Sequence, residues 1–263
     1  MSLVFAALTP HPPILVPTIG KEEIKKLDQT KQAMLELEKD LYAARPQIIL
    51  IISPHGSLFA DAFSVNAHTP LVSAFETFGD LIAKKQWIGA PELAAKIGHE
   101  ARTNELSVQL VSQEQIDHGA SVPLLYLTEH LPHVQILPIG YSELPREAHI
   151  RYGELLKEVI MSEKKRVAVI ASGDLSHCLT VNAPVSYHSA GEQFDQEIIK
   201  LLEMHNSAGI IQLDFDLIRN AAECGYPSLL ILLGILKNMH YTFKRYSYEA
   251  PFGVGYLVGN FVL

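Results

Sequence analysis

Two kinds of apolar pattern alternate along the chain. Leu3–Leu8, Gln47–Ile52, Val134–Ile139 and Val167–Ile170 are short apolar runs with no polar alternation, the pattern of strands buried on both faces of a parallel sheet. Between them the apolar residues fall at helical spacing. Glu22–Ala44 sets Ile24, Leu27, Met34, Leu37 and Leu41 among charges, which predicts one amphipathic helix. Pro91–Thr103 opens on a proline, as a first helical turn allows. Val122–His130 and Leu144–Ser162 are further helices, and two or three more fit between Gly191 and Asn238. Phe63–Ala67 and Ser107–Val111 read as short strands, Tyr241–Glu249 alternates, and Gly255–Leu263 closes the chain as a strand. This order predicts a single α/β domain over residues 1–263. A central, mostly parallel sheet is flanked by helices, with antiparallel strands added at the C-terminus. His68–Gly89, with Phe75, Phe78 and Trp87, has weak periodicity and is expected to be a loop-rich lid or interface.

The strand ends carry the chemistry. His11 follows the first strand within Thr9-Pro10-His11-Pro12-Pro13, where three prolines can continue neither a helix nor a central strand. His55 follows the second strand in Ser53-Pro54-His55-Gly56, and His177 follows VAVI in the stretch RVAVIASGDLSHCL. His118, in Asp117-His118-Gly119, opens a helix a few residues after a strand. Parallel strands send their carboxyl ends to one edge, where open α/β sheets place their ligands. Four imidazoles from distant sequence are therefore expected to converge. The other eight histidines fall in loops or on polar helix faces and read mostly as solvated, His188 being the least certain.

Converging imidazoles bind transition metals or move protons near neutral pH. Two histidines and a carboxylate leave open positions on an iron, the arrangement of non-haem Fe(II) oxygenases. Glu223 is the candidate carboxylate, and its neighbour Cys224 is a softer rival that would favour copper or zinc. Asp117 and Asp174 stand beside His118 and His177, either as acceptors that fix ring tautomers or as helix caps.

The composition narrows the partners. A net charge of −8 argues against nucleic acid or anionic membrane as the main partner. No apolar run reaches the ~18 residues of a membrane span, and MSLVFAALTPHPPIL lacks the basic leader of a signal peptide. Two cysteines imply no disulfide framework. A cytoplasmic location is the expectation.

Five segments, TPHPPIL, ISPHG, DHGASVPL, SGDLSH and ECGYPSLLILLG, spread from Thr9 to Gly234, together resemble the type III extradiol ring-cleavage dioxygenase superfamily. That group includes the protocatechuate 4,5-dioxygenase catalytic subunit and the Memo proteins. The resemblance implies His11 and His55 as metal ligands and His118 and His177 as acid/base histidines. Ring-cleaving members would use a glutamate, here Glu223, as third ligand, whereas Memo proteins have a Cys-Gly pair, matched by Cys224-Gly225. It implies Fe(II), with copper or zinc as alternatives, a small aromatic substrate and O2 as partners, and assembly into a homo-oligomer. The function expected first is opening of a catechol or aminophenol ring next to the diol. A Memo-like metal protein without ring cleavage is the alternative, and a zinc hydrolase built on the same histidines is a third.

Overall fold

A computed structural model describes residues 2–263. Its strands are β1 (Leu3–Thr9), β2 (Ile48–Ser53), β3 (Phe63–Asn66), β4 (Leu71–Ser73), β5 (Gln86–Gly89), β6 (Val108–Val111), β7 (Gln115–Ile116), β8 (Gln135–Gly140), β9 (Val167–Ser172), β10 (Thr242–Glu249) and β11 (Tyr256–Val262). Its helices are α1 (Pro17–Gly20), α2 (Asp28–Ala44), α3 (Pro91–Thr103), α4 (His118–Leu127), α5 (Arg146–Ser162), α6 (Ala190–Glu203), α7 (Ser207–Ile211), α8 (Phe215–Ala221) and α9 (Tyr226–Leu236).

The middle of the sheet is β1-β9-β2-β8, all parallel. β11 joins β1 antiparallel and β10 joins β11 antiparallel, so the closing strands extend one side as a hairpin. On the other side β8 forks. Gln135 and Ile136 pair with β5, while Ile139 and Gly140 pair with β3. Pro138, which has no N–H to donate, falls in the gap between the two partners.

Successive side chains of the central strands face opposite layers. Ile48, Leu50 and Ile52 of β2 join Val167, Val169 and Ala171 of β9 against α3, α5, α6 and α9. Ile49, Ile51, Ala168 and Ile170 face α2 and α4. Both faces are covered, which explains runs with no polar alternation. Each such buried Leu or Ile contributes about 1.5–3 kcal/mol of transfer free energy. The result is a single α/β domain with a mixed sheet between helical layers.

Three local expectations change. The helix expected over Glu22–Ala44 is a 3-10 segment, Lys21–Leu27, followed by α2. Leu27 leaves the helical region at φ −109°, ψ 27° because it packs with Leu15, Phe75 and Val122, a cluster separate from the one that takes Met34, Leu37 and Leu41. His68–Gly89 is not purely loop, since it contains β4 and β5 with Phe75 and Trp87 buried. His149 is buried rather than solvated: its Nδ1 and Nε2 reach the carbonyls of Pro145 and Ser142, each at 3.1 Å. No helix among the described residues is long and apolar enough to cross a membrane.

Candidate metal centre

The four parallel strands end in Thr9, Ser172, Ser53 and Gly140, and the loops leaving them form one edge. His11 leaves β1 and is only 2% exposed. Its backbone N–H donates to Asp174 Oδ1 at 2.9 Å, which ties the loop after β1 to the loop after β9. Its ring is fixed from behind by Ser172. The Ser172 hydroxyl donates to the Gly119 carbonyl at 2.5 Å, so its single proton is committed. The 2.9 Å contact between His11 Nδ1 and Ser172 Oγ then has Nδ1–H as the donor. Nε2 is left as a bare lone pair facing the cluster.

Opposite that lone pair are His55 Nε2 at 3.1 Å, Cys224 Sγ at 3.6 Å and Asp174 Oδ2 at 3.8 Å. His118 completes a group of three imidazoles whose ligand atoms all lie within 4.8 Å of one another. Ligands about 2.0–2.3 Å from one ion are spaced at about this range, so the donors fit a transition metal. His55 and His118 differ in geometry from His11. Their rings are stacked, with centroids 4.3 Å apart and planes 16° off parallel. Lone pairs lie in the ring plane, so as placed these two imidazoles cannot both aim at one ion. His11 is perpendicular to His55, at 90°, and has no such conflict.

Sequence-local chemistry sets this arrangement. Asp117 caps α4 by accepting the Ala120 N–H at 3.2 Å and also takes the Ser53 hydroxyl, so the end of β2 is tied to the helix that begins at His118. Asp117 is therefore cap and anchor together. Asp174 acts on His11 through its backbone rather than as a helix cap. Gly173 and Gly225 let the segment before α9 approach: a Cβ on Gly173 would stand 2.1 Å from Gly225 Cα. The N–H groups of Cys224 and Gly225 donate to the Asp174 carbonyl at 3.3 and 3.1 Å.

The two rival residues of that segment are placed differently. Cys224 Sγ points toward His11, while the Glu223 carboxylate turns to the start of α9 and accepts the Tyr226 N–H at 2.5 Å. His177 is not among the three grouped imidazoles, although its charge is felt by both His11 and Asp174. Its Nδ1 is buried without a hydrogen-bond partner.

Burial dominates the electrostatics. It holds His11 well below the ordinary histidine range, reinforced by His55 and His177, and lowers His118 to about 3, reinforced by His11 and His55. Neutral imidazoles are the form that binds metal. Burial also raises Asp174 to about 6 and Glu223 to about 7, and pushes the Cys224 thiol up.

An open cleft of about 740 Å³ leads to His55, His118 and Asp117. Ala74, Glu76, Thr77 and Phe78, from the segment expected to be a lid or interface, form part of its wall. Phe78 meets His118 edge-on at 4.9 Å. Sequence reasoning missed Ser172, Ser53 and the wall residue Glu76. The signal for the first two was present, as a hydroxyl closing each of two otherwise apolar strands.

Comparison with known proteins agrees with this architecture. The chain is 33% identical to CA_C1420 of Clostridium acetobutylicum over 97% of its own length, but spans 57% of that protein. It is 24% identical to the 4,5-DOPA dioxygenase extradiol of Mirabilis jalapa, over 61% of this chain and 62% of that one. A MEMO1 family protein of Methanosarcina mazei is 23% identical over 76% of this chain and 67% of its own length. In fold, the Escherichia coli K12 protein JW3007 superposes with a TM-score of 0.63 at 16% identity, covering 98% of this chain and 99% of that one. Residues 5–259 match one protein family, and the chain belongs to it: the catalytic LigB subunit of aromatic ring-opening dioxygenase.

Proposed function

We propose that this protein is a metal-dependent dioxygenase that opens a dihydroxy-aromatic ring beside the diol. The observation that carries the reading is the fixed tautomer of His11. Ser172 holds its Nδ1–H and leaves Nε2 bare among His55, Cys224 and Asp174, behind the His55 ring that lines the cleft. In this reading His11 and His55 hold Fe(II), and Cys224 is the third protein donor, because Glu223 is turned to α9 and His118 is stacked on His55.

A metal held there would supply Lewis acidity toward the diol and a site for dioxygen beside it. The remaining work falls to side chains. His177 takes a hydroxyl proton at Nε2, its Nδ1 being shut away from solvent. His118, kept neutral by burial, faces the cleft and donates or accepts a proton as oxygen enters the ring. Phe78 gives the substrate ring a flat apolar wall. The sum of the reaction is ring plus O2 giving a semialdehyde acid that contains both oxygen atoms. The family match and the DOPA dioxygenase relative support this reading.

One observation favours a second reading. A thiolate donor suits copper or zinc better than a carboxylate would, and Cys224, not Glu223, stands at 3.6 Å from His11 Nε2. A Memo-like copper or zinc protein without ring cleavage has that donor set, and the Methanosarcina relative is consistent with it. Anaerobic reconstitution with Fe(II), followed by oxygen uptake and yellow product with catechols and aminophenols, tests the first reading. No turnover with any of them, together with tighter copper or zinc than iron binding, selects the second.

A further inference from the structure

The cleft has a charge of one sign. Among the described residues its lining includes Glu76 and Asp117 but no lysine or arginine. Of the amides that line it, Asn66 is already used: its Nδ2 donates to the Gln113 carbonyl at 2.8 Å, and its Oδ1 accepts the N–H groups of His68 and Gln113, which leaves only the neutral side chains of Gln113 and Gln115. Asp117 spends Oδ1 on Ser53 and Ala120, while Oδ2 faces Gly56 on the cleft lining, where a Cβ would stand 3.3 Å from it. Glu76 is exposed, and its one ion pair among the described residues is a 3.7 Å contact with Lys84, itself exposed and outside the lining. Such pairs are weak and exchange readily.

Glu76 also shares its 3-10 turn with Phe78, the ring that meets His118 edge-on. An aromatic substrate lying against Phe78 with its diol toward the histidines brings its side arm past Glu76. A carboxylate on that arm would pass Glu76 with no lysine or arginine in the lining to receive it, whereas an ammonium group would replace Lys84 at Glu76. A cleft with low-dielectric walls sharpens this preference.

We infer that the cleft selects dihydroxy-aromatic amines, with a cationic side arm, over the corresponding carboxylates. The inference rests on the ring-opening reading and goes beyond it by naming the substrate class. The probes are catechol, dopamine, and the dihydroxyphenylpropionate with the same hydroxyl positions, so that the two-carbon arms differ only in ammonium or carboxylate. Their dissociation constants are measured anaerobically on the Fe(II)-loaded protein, and oxygen uptake is recorded for each.

Dopamine is expected to bind on the order of tenfold tighter than the propionate, because an exposed attraction to Glu76 replaces an exposed repulsion. Glu76→Lys, a surface change outside the catalytic group, should reverse the order. Lys84→Ala should widen it. Catechol bound and opened, with the propionate equal to or better than dopamine or with an order insensitive to Glu76→Lys, overturns the inference and leaves ring opening standing. Catechol neither bound nor consumed removes the ring-opening reading, and the inference with it.

Discussion

Cys224 Sγ lies 3.6 Å from His11 Nε2, while the carboxylate of Glu223, one residue earlier, is held at 2.5 Å by the Tyr226 N–H. Adjacent residues thus serve different ends, one facing the histidines and one capping α9. Cys224→Ala is expected to weaken metal affinity at least about tenfold, the scale of losing a donor to the metal. Glu223→Gln should leave affinity nearly unchanged and cost about 0.5–2 kcal/mol of stability as a weakened cap. Competition with a chelator, beside urea unfolding, separates the two. The reverse pattern would make Glu223 the ligand.

Ser172 acts through His11. Ser172→Ala removes the acceptor that holds Nδ1–H, and the ring is then free to change tautomer. Metal affinity should fall about 10–100-fold, as for other outer partners of ligating histidines. Unchanged affinity would mean that the tautomer is fixed by something else.

Asp195, on α6, is fully buried and accepts the Ser176 N–H at 2.8 Å and the Tyr248 hydroxyl at 2.7 Å, bracing the loop that carries Asp174 and His177. Burial raises its carboxyl to about 7. In the unfolded chain it titrates near about 4, so between about pH 4 and 7 the folded state binds a proton that the unfolded state has released. Stability therefore falls as pH rises through that window and levels off above it. In the metal-free protein, Asp195→Asn should flatten this fall in thermal midpoint while keeping an acceptor for Ser176. Identical slopes in the two proteins would contradict the assignment.

Gly173 and Gly225 pack backbone against backbone. Gly173→Ala would force the two segments apart and is expected to cost about 1–3 kcal/mol or more, read as a lower urea midpoint. It should also reduce metal affinity, because the segment it displaces carries Cys224. A variant of unchanged stability would show that the approach is not tight.

The parallel core was legible because β2 and β9 are buried on both faces and so lack alternation. His11, His55 and His177 were legible because each follows such a run, and His118 because it opens a helix after a short strand. What sequence could not decide came from direction. Glu223 and Cys224 are neighbours, and only the turn into α9 determines which one faces His11. The stacking of His118 on His55 is likewise set by the Asp117–Ser53 link between distant segments. The break at Leu27 was hidden because its apolar spacing continues that of α2 while its partners do not.

The central claim is a metal held at the strand ends by His11 and His55. It is tested most directly by elemental analysis of the wild-type protein and of His11→Ala and His55→Ala after anaerobic Fe(II) loading and dialysis, with circular dichroism to check the fold. Both variants are expected to remain folded and to lose bound metal to background. Full occupancy in both would contradict the claim.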